Sequence, residues 1–424
     1  MANMQQLEPK QSGAFNKFLN VIEKVGNKLP HPFFLFLYLT LFVVFISFVL
    51  GTMQATVLHP NTGEEVAVKN LLSKDGIRYI LSNTLTNFTG FAPLGLVLTM
   101  MLGIGLAEKV GLFSSLMTKA ITNTPKRIVT FMVVFIGILG NIASDAAFVV
   151  IPPLAALVFL SLGRHPLAGL AAGLAGAGIG FTANILIAGT DALLSGISTE
   201  IAKSIDPNMV VTPLDNWFFM SASTFLLAFL GAVVTEKFVE PRLGTYKGEK
   251  QIESTDLSPV ENRALRHTGI AAALYIGAII TLMLIPNSPL LNDDGTILRS
   301  PFLSGIVPIL FAFFLITGIT YGVSVGKIKT TADVPTIMAE AIKDLSSYIV
   351  LIFMIGQFIG YFNWTNIATW MAVHLADFLT MINLTNIFAI ILFIMLVAIL
   401  SLFIISGSAL WSLVAPIFVP TFMV

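Results

Sequence analysis

The 424-residue chain has no cysteine, so it offers no disulfide framework, thiolate zinc site, iron–sulfur cluster or cysteine nucleophile. Charge is scarce as well: 11% of the residues are charged, against roughly 25% in soluble proteins. The 23 basic and 23 acidic residues cancel, which leaves no basic surface for nucleic acid. There are only 5 histidines, none paired at a metal-ligand spacing on one helix. Paired carboxylates and nucleophile–base motifs are also missing, so the chain carries no enzyme signature. Apolar residues are plentiful instead, at 56%, and a soluble fold is excluded on composition.

Lys10, Lys17, Lys24 and Lys28 precede the first apolar run in too long and polar a lead for a cleaved signal peptide, and no small-residue cleavage site follows. Phe33 to Leu50 reads as a retained span. Apolar runs recur at roughly 33–55, 92–107, 128–162, 166–198, 216–234, 267–286, 301–321, 347–362 and 385–424. A crossing needs ~20 helical residues, so the chain reads as an all-α polytopic membrane protein. Run 128–162 is too long for one crossing. It is interrupted by Gly140-Asn141-Ile142-Ala143-Ser144-Asp145 and followed by Pro152-Pro153, the pattern of a re-entrant hairpin with a polar tip. Run 166–198 contains Thr182, Asn184 and Gly189-Thr190-Asp191, which predicts a single crossing unwound in its middle.

Lysine and arginine concentrate on the cytoplasmic side of a membrane protein. With a cytoplasmic N-terminus and 128–162 as a hairpin, segments 1–30, 108–127, 163–165, 235–266 and 322–346 fall inside and hold 18 Lys/Arg. Segments 56–91, 199–215, 287–300 and 363–384 fall outside and hold 5.

Shifting the chain by 263 positions aligns Thr122-Asn123 with Thr385-Asn386, Ala146 with Ala409 and Pro153 with Pro416, and 10 of 36 positions in 122–157 match. The charge distribution starts 128–162 from inside and 385–424 from outside. Related segments of opposite orientation define an inverted-repeat secondary transporter, with its site where interrupted helices meet near the midplane. The expected organisation is a cytoplasmic segment 1–30, a first repeat 31–234, a cytoplasmic linker 235–266 and a second repeat 267–424. Symmetry implies about 80 further residues completing that second repeat, with another broken span and a final helix.

Asp145 and Asp191 are the ionisable residues inside the apolar runs, where a carboxylate is costly and functional or paired. Asp191 precedes Ala192-Leu193-Leu194 and can N-cap a half-helix; its readings are capping alone, or capping together with proton or cation binding. Asp145 either satisfies tip amides or takes part in coupling. The second tip reads Ser406-Gly407-Ser408-Ala409-Leu410-Trp411, and Trp411 is either a ring that stacks on a flat substrate or an interfacial residue. Trp217, Trp364 and Trp370 lie at run ends and read as interfacial, as do His165 and His374. Gly169, Gly173, Gly176, Gly178 and Gly180 predict close helix packing rather than phosphate binding.

The stretches Asn141-Ile-Ala-Ser-Asp145-Ala-Ala-Phe-Val-Val-Ile-Pro-Pro, Ala183-Asn184-Ile-Leu-Ile-Ala-Gly189-Thr190-Asp191 and Ser406-Gly-Ser-Ala-Leu-Trp411-Ser-Leu-Val-Ala-Pro416 resemble the AbgT family of bacterial aminobenzoyl-glutamate transporters along essentially the whole chain. The resemblance implies a homodimer in the bacterial inner membrane, with nine transmembrane helices and two re-entrant hairpins per protomer. It also implies a p-aminobenzoyl-glutamate or sulfonamide antimetabolite substrate, and coupling to H⁺ or Na⁺. Carried onto this chain, the family's site aspartate falls on Asp191, and its hairpin serine and tryptophan on Ser408 and Trp411. Family members continue past this point with a second broken helix and a nearby arginine.

The resulting expectation is a cation-coupled carrier of aromatic acids with no cofactor beyond its coupling ion. Asn141, Ser144, Asn184, Thr190, Ser408 and Trp411 contact substrate, Asp191 and Asp145 serve coupling, and Na⁺ can lie near Asn141, Asn184 and Asp191. The alternative is a Na⁺-coupled dicarboxylate or citrate carrier, for which an aromatic at the second tip has no evident purpose. The cysteine-free chain suits a direct topology test. Single substitutions Arg127→Cys and Gly163→Cys should label from the same side of the membrane, whereas labelling from opposite sides would remove the hairpin.

Overall fold

A computed structural model describes residues 30–60, 62–143, 146–180, 183–246, 257–297, 300–381, 387–404 and 407–424. In chain order the helices are α1 (Pro32–Thr52), α2 (Lys74–Thr89), α3 (Ala92–Lys109), α4 (Leu112–Thr122), α5 (Val129–Leu139), α6 (Ala146–Ser161), α7 (Pro166–Ile179), α8 (Gly189–Ala202) and α9 (Trp217–Val234). They continue with α10 (Pro259–Leu284), α11 (Ile306–Ser324), α12 (Asp333–Asp344), α13 (Ser346–Trp364), α14 (Ile367–Met381), α15 (Ile387–Ser401) and α16 (Gly407–Met423). Among the described residues 6 helices are long and apolar enough to cross a membrane, and several shorter apolar helices accompany them.

The structure amends the all-α expectation with a small antiparallel ribbon. Strand β1 (Thr56–Leu58) pairs with β2 (Glu65–Ala67) in the register Thr56↔Ala67, Val57↔Val66 and Leu58↔Glu65. Helices α2 and α14 also fall within segments 56–91 and 363–384, which read as loops in the sequence. Polar residues such as Tyr79, Asn83 and Asn87 in α2, and His374 and Asp377 in α14, keep both below an apolar-run criterion.

Two compact units divide the chain: Met1–Gly90, Glu200–Met209 and Val350–Val424 form one, and Phe91–Thr199 with Val210–Ile349 the other. In the first unit α1 buries one narrow stripe of Phe36, Thr40, Val43 and Ser47 at helical spacing. Its other faces expose Tyr38, Leu41, Phe42 and Phe45, as a lipid-facing helix does. Phe36 meets Phe358 of α13 with ring centroids 5.9 Å apart. Helices α2 and α13 are joined by a polar seam. Asn87 Nδ2 donates to Gln357 Oε1 at 3.3 Å, Gln357 Nε2 to the Thr84 carbonyl at 2.8 Å, and the Tyr79 hydroxyl to the Gly360 carbonyl at 3.1 Å. Such bonds hold helices together where lipid offers no hydrophobic preference for contact. Phe393 of α15 meets Phe418 of α16 at 4.6 Å.

The second unit is organised around α7. Its Gly169 and Gly173 lie against Ala155 and Pro152 of α6, and a Cβ added at Gly173 would stand 2.8 Å from Pro152 Cα. Gly176 meets α5, where an added Cβ would stand 2.6 Å from the Val134 carbonyl oxygen. Gly169, Gly173 and Gly176 therefore serve close packing, the role expected from the stripe's spacing, whereas Gly178 does not, since a Cβ there would meet nothing within 4 Å. Small residues act likewise between α3 and α11, where Gly103 faces the Phe311 carbonyl.

Arg164, in the α6–α7 connection, ties three elements together. Its Nε donates to Glu240 Oε1 at 2.9 Å and its second η nitrogen to Glu240 Oε2, just beyond the π-helical turn Thr235–Val239 that extends α9. The remaining η nitrogen donates to Thr130 Oγ1 of α5 at 2.8 Å, and the guanidinium stacks 4.1 Å over the Phe159 ring. A lysine keeps the charge but loses the planar fork. R164K should lower stability by roughly 1–2 kcal/mol, read as the thermal midpoint in detergent. An unchanged midpoint would show that the fork geometry contributes nothing.

Candidate functional site

The second unit holds an interrupted helix. Helix α7 ends at Ile179 and α8 begins at Gly189, and residues 183–188 between them are not helical, so this backbone gives up its helical hydrogen bonds inside an apolar run. Such groups must find partners within the protein.

Side chains from several elements supply them. Asn184, 4% exposed, accepts the Leu186 N–H on Oδ1 at 2.9 Å and directs Nδ2 toward the Ile138 carbonyl at the end of α5, at 3.5 Å. Asn141, in the 3₁₀ turn Gly140–Ala143 after α5, donates from Nδ2 to the Ala177 carbonyl in the last turn of α7 at 2.6 Å. Its Oδ1 is buried and has no hydrogen-bond partner among the described residues. Asp191 accepts the Ala188 N–H on Oδ2 at 2.7 Å. Asp191 is thus the third residue of α8 and reaches back to the residue before the helix. This is the acidic half of a capping box and corrects the expectation that Asp191 is itself the N-cap. Thr190 sits exposed in the same first turn.

Two glycines shape the break. Gly189 opens α8. Gly180 closes α7 in ordinary αR backbone, and its missing Cβ is the space the Asn141 amide fills. The C-terminal carbonyls of α5 and α7 and the positive N-terminus of α8 therefore border one segment, an arrangement suited to small ions and charged ligands. The available donors are neutral oxygens and one carboxylate, the hard set that a monovalent cation takes. Among the described residues no group of three or more His, Asp or Glu could hold a transition metal.

Asn141, Asn184 and Asp191 thus each bond to backbone at the interruption: Asn141 at the end of α7, Asn184 at Leu186 and Asp191 at Ala188. Ser144 and Asp145, also expected here, lie outside the described residues. Ser408 and Trp411 belong to the other compact unit, in the first turns of α16, where Ser412 Oγ donates to the Ser408 carbonyl at 2.7 Å. Both side chains are half-buried, between the buried Ala409 and Leu410 and the buried Ser412.

The other tryptophans and His165 also have partners within the protein. Trp217 donates its indole N–H to the Ile185 carbonyl inside the break at 2.8 Å, an engagement that its place at a run end did not signal. Trp364 stacks on Tyr79 at 4.8 Å, Trp370 stacks on His374 at 4.2 Å, and His165 Nδ1 accepts the Leu167 N–H at the start of α7.

Several apolar spans and a polar-lined helix interruption define a multi-pass membrane transporter, and comparison with known proteins agrees. The model of the AbgT putative transporter family matches residues 17–424. The chain belongs to that family. It is 44% identical over 415 residues to the p-aminobenzoyl-glutamate transport protein of Escherichia coli K12, covering 97% of this chain and 81% of that one. Among solved structures it is similar to the Neisseria gonorrhoeae MtrF, described within a class of antimetabolite efflux pumps. The TM-score is 0.89 at 42% identity, over 96% of this chain and 83% of that one. It is also similar to the Alcanivorax borkumensis YdaH transporter, with a TM-score of 0.86 at 37% identity over 93% and 83% of the two chains.

Gly178 and Gly180 offer a paired test of the break. A Cβ at Gly180 would collide with the Asn141 amide, whereas one at Gly178 meets nothing within 4 Å. G180A should lower the thermal midpoint through a loss of about 1–3 kcal/mol, while G178A should be neutral or gain up to about 1 kcal/mol from helix propensity. Equal midpoints for the two variants would contradict the packing described.

Proposed function

We propose that this transporter is a cation-coupled secondary carrier of p-aminobenzoyl-glutamate or related aromatic acids. It works as a homodimer in the bacterial inner membrane with its N-terminus in the cytoplasm. The observation that carries the reading is the interruption between α7 and α8, where Asn141 bonds to the end of α7, Asn184 to Leu186 and Asp191 to Ala188 before the start of α8. The substrate class is supported by what the E. coli relative is named to transport, at 44% identity over nearly the whole chain.

In this reading Asp191 has two duties. One carboxylate oxygen holds the start of α8, and the other takes the coupling proton or cation, with Asp145 as a second candidate for coupling. Na⁺, where it is the coupling ion, is held near Asn141, Asn184 and Asp191, and the buried Asn141 Oδ1 is a ready oxygen donor. Asn141, Ser144, Asn184, Thr190 and Ser408 provide polar contacts to the substrate, and Trp411 stacks on its aryl ring. The inverted repeat inferred from the 263-residue shift supplies alternating access. Attraction for a dianionic substrate comes in part from the half-helix N-terminus of α8.

Counterflow of labelled aminobenzoyl-glutamate in proteoliposomes, with Na⁺ and pH gradients imposed separately, tests the reading. The wild-type chain should exchange the labelled substrate and should respond to one of the two gradients. Succinate exchange without aminobenzoyl-glutamate exchange would favour the dicarboxylate alternative. D191A should abolish gradient-dependent flux at unchanged expression, and normal flux would reject its coupling role. W411A should weaken affinity for aromatic substrates by about 0.5–1.5 kcal/mol, the value of a ring pair, and unchanged affinity would reject stacking.

A further inference from the structure

Trp217 is the first residue of α9, and its ring is half-buried. An indole that anchors a helix at a membrane interface keeps its N–H for water and lipid headgroups. Here the N–H is taken by protein: Nε1 donates to the Ile185 carbonyl at 2.8 Å, 32 residues earlier in the chain and midway through the helix break.

The connection that delivers Trp217 is itself stitched to α8. Thr199 Oγ1 donates to the Val211 carbonyl at 3.0 Å and accepts the Val211 N–H at 2.9 Å. Asp215 then accepts both the N–H and the hydroxyl of Thr212, at 2.9 and 2.8 Å, and forms the turn that leads into α9. The Trp217 N–H bonds back to the Leu214 carbonyl at 3.0 Å, and the Phe218 ring packs edge-on at 5.1 Å. The indole therefore stands on a rigid base. Asn184 takes the Leu186 N–H and Asp191 the Ala188 N–H, both from within the interrupted span. Trp217 alone, among these three, reaches the segment from a separate element.

We infer that Trp217 is a positioning residue for the transport site: its N–H takes up the Ile185 carbonyl that the break releases and so sets the orientation of the 183–188 peptide groups that ion and substrate meet. The inference rests on the carrier reading above for its functional half and on geometry alone for its structural half. Without the donor, the Ile185 carbonyl would be left unpaired in an apolar region, and the segment would turn to find another partner.

The test is benzothienylalanine at position 217 of the full chain, which replaces the indole N–H by sulfur and keeps the ring's size and apolar surface. W217F serves as a second variant. Amide hydrogen exchange over 183–188, in detergent without substrate, should accelerate about three- to tenfold, the range one net hydrogen bond supports, while the middle of α7 keeps its rate. In proteoliposomes the concentrations of substrate and coupling cation for half-maximal flux should rise by a similar factor, with a smaller change in maximal rate. Unchanged exchange in the benzothienyl variant overturns the inference, because an interfacial anchor predicts that result. Faster exchange with unchanged half-saturation overturns the functional half and leaves Trp217 as a structural brace. Failure of the wild-type chain to carry aminobenzoyl-glutamate would count against the carrier reading, while the exchange measurement would still decide the brace.

Discussion

A peptide group that leaves a helix inside a membrane has no water to turn to, and the candidate site is organised by that constraint. Between Ile179 and Gly189 the protein accepts the cost of an interruption and meets it with side chains. Asn184 and Asp191 cap from within the span, Asn141 reaches in from the turn after α5, and Trp217 reaches in from α9. Asp191 lies in the first turn of α8, and the buried Asn141 amide oxygen has no partner among the described residues.

That arrangement works only if α5, α6 and α7 lie close enough for short side chains to span them. An asparagine reaches a neighbouring helix only when the backbones nearly touch. Gly169 and Gly173 bring α7 onto α6, Gly176 brings it onto α5, and Gly180 makes room for the Asn141 amide. Packing and polar chemistry are therefore one design. The glycines place the helices, and the placement lets the Asn141 amide nitrogen serve a carbonyl on the next helix while its amide oxygen has no partner among the described residues.

Much of this was legible in the chain. A 33-residue apolar run interrupted by Thr182, Asn184 and Gly189-Thr190-Asp191 is too long for one regular helix, and the structure ends α7 at Ile179 and begins α8 at Gly189, so that Gly189-Thr190-Asp191 forms the first turn of α8. Gly169, Gly173 and Gly176 announced close packing because small residues recur at helical spacing, while Gly178, of the same stripe, faces open space. Other features left no readable trace. Trp217 sits where interfacial tryptophans sit, and its acceptor is a backbone carbonyl, which has no sequence signature at all. Helix α2 is too polar to register as a span because it spends the side chains of Tyr79 and Asn87 on a seam with α13, visible only once the two helices are adjacent. The β1–β2 ribbon is three residues a side, too short for alternation to stand out.

The account's central claim is that the substrate is bound against the interrupted span of the second unit. A cryo-electron microscopy structure of the full chain in nanodiscs with saturating aminobenzoyl-glutamate tests it most directly. The account predicts ligand density in contact with residues 183–191 and the Asn141 side chain. Density confined to another surface, with the break unchanged and unapproached, would contradict it.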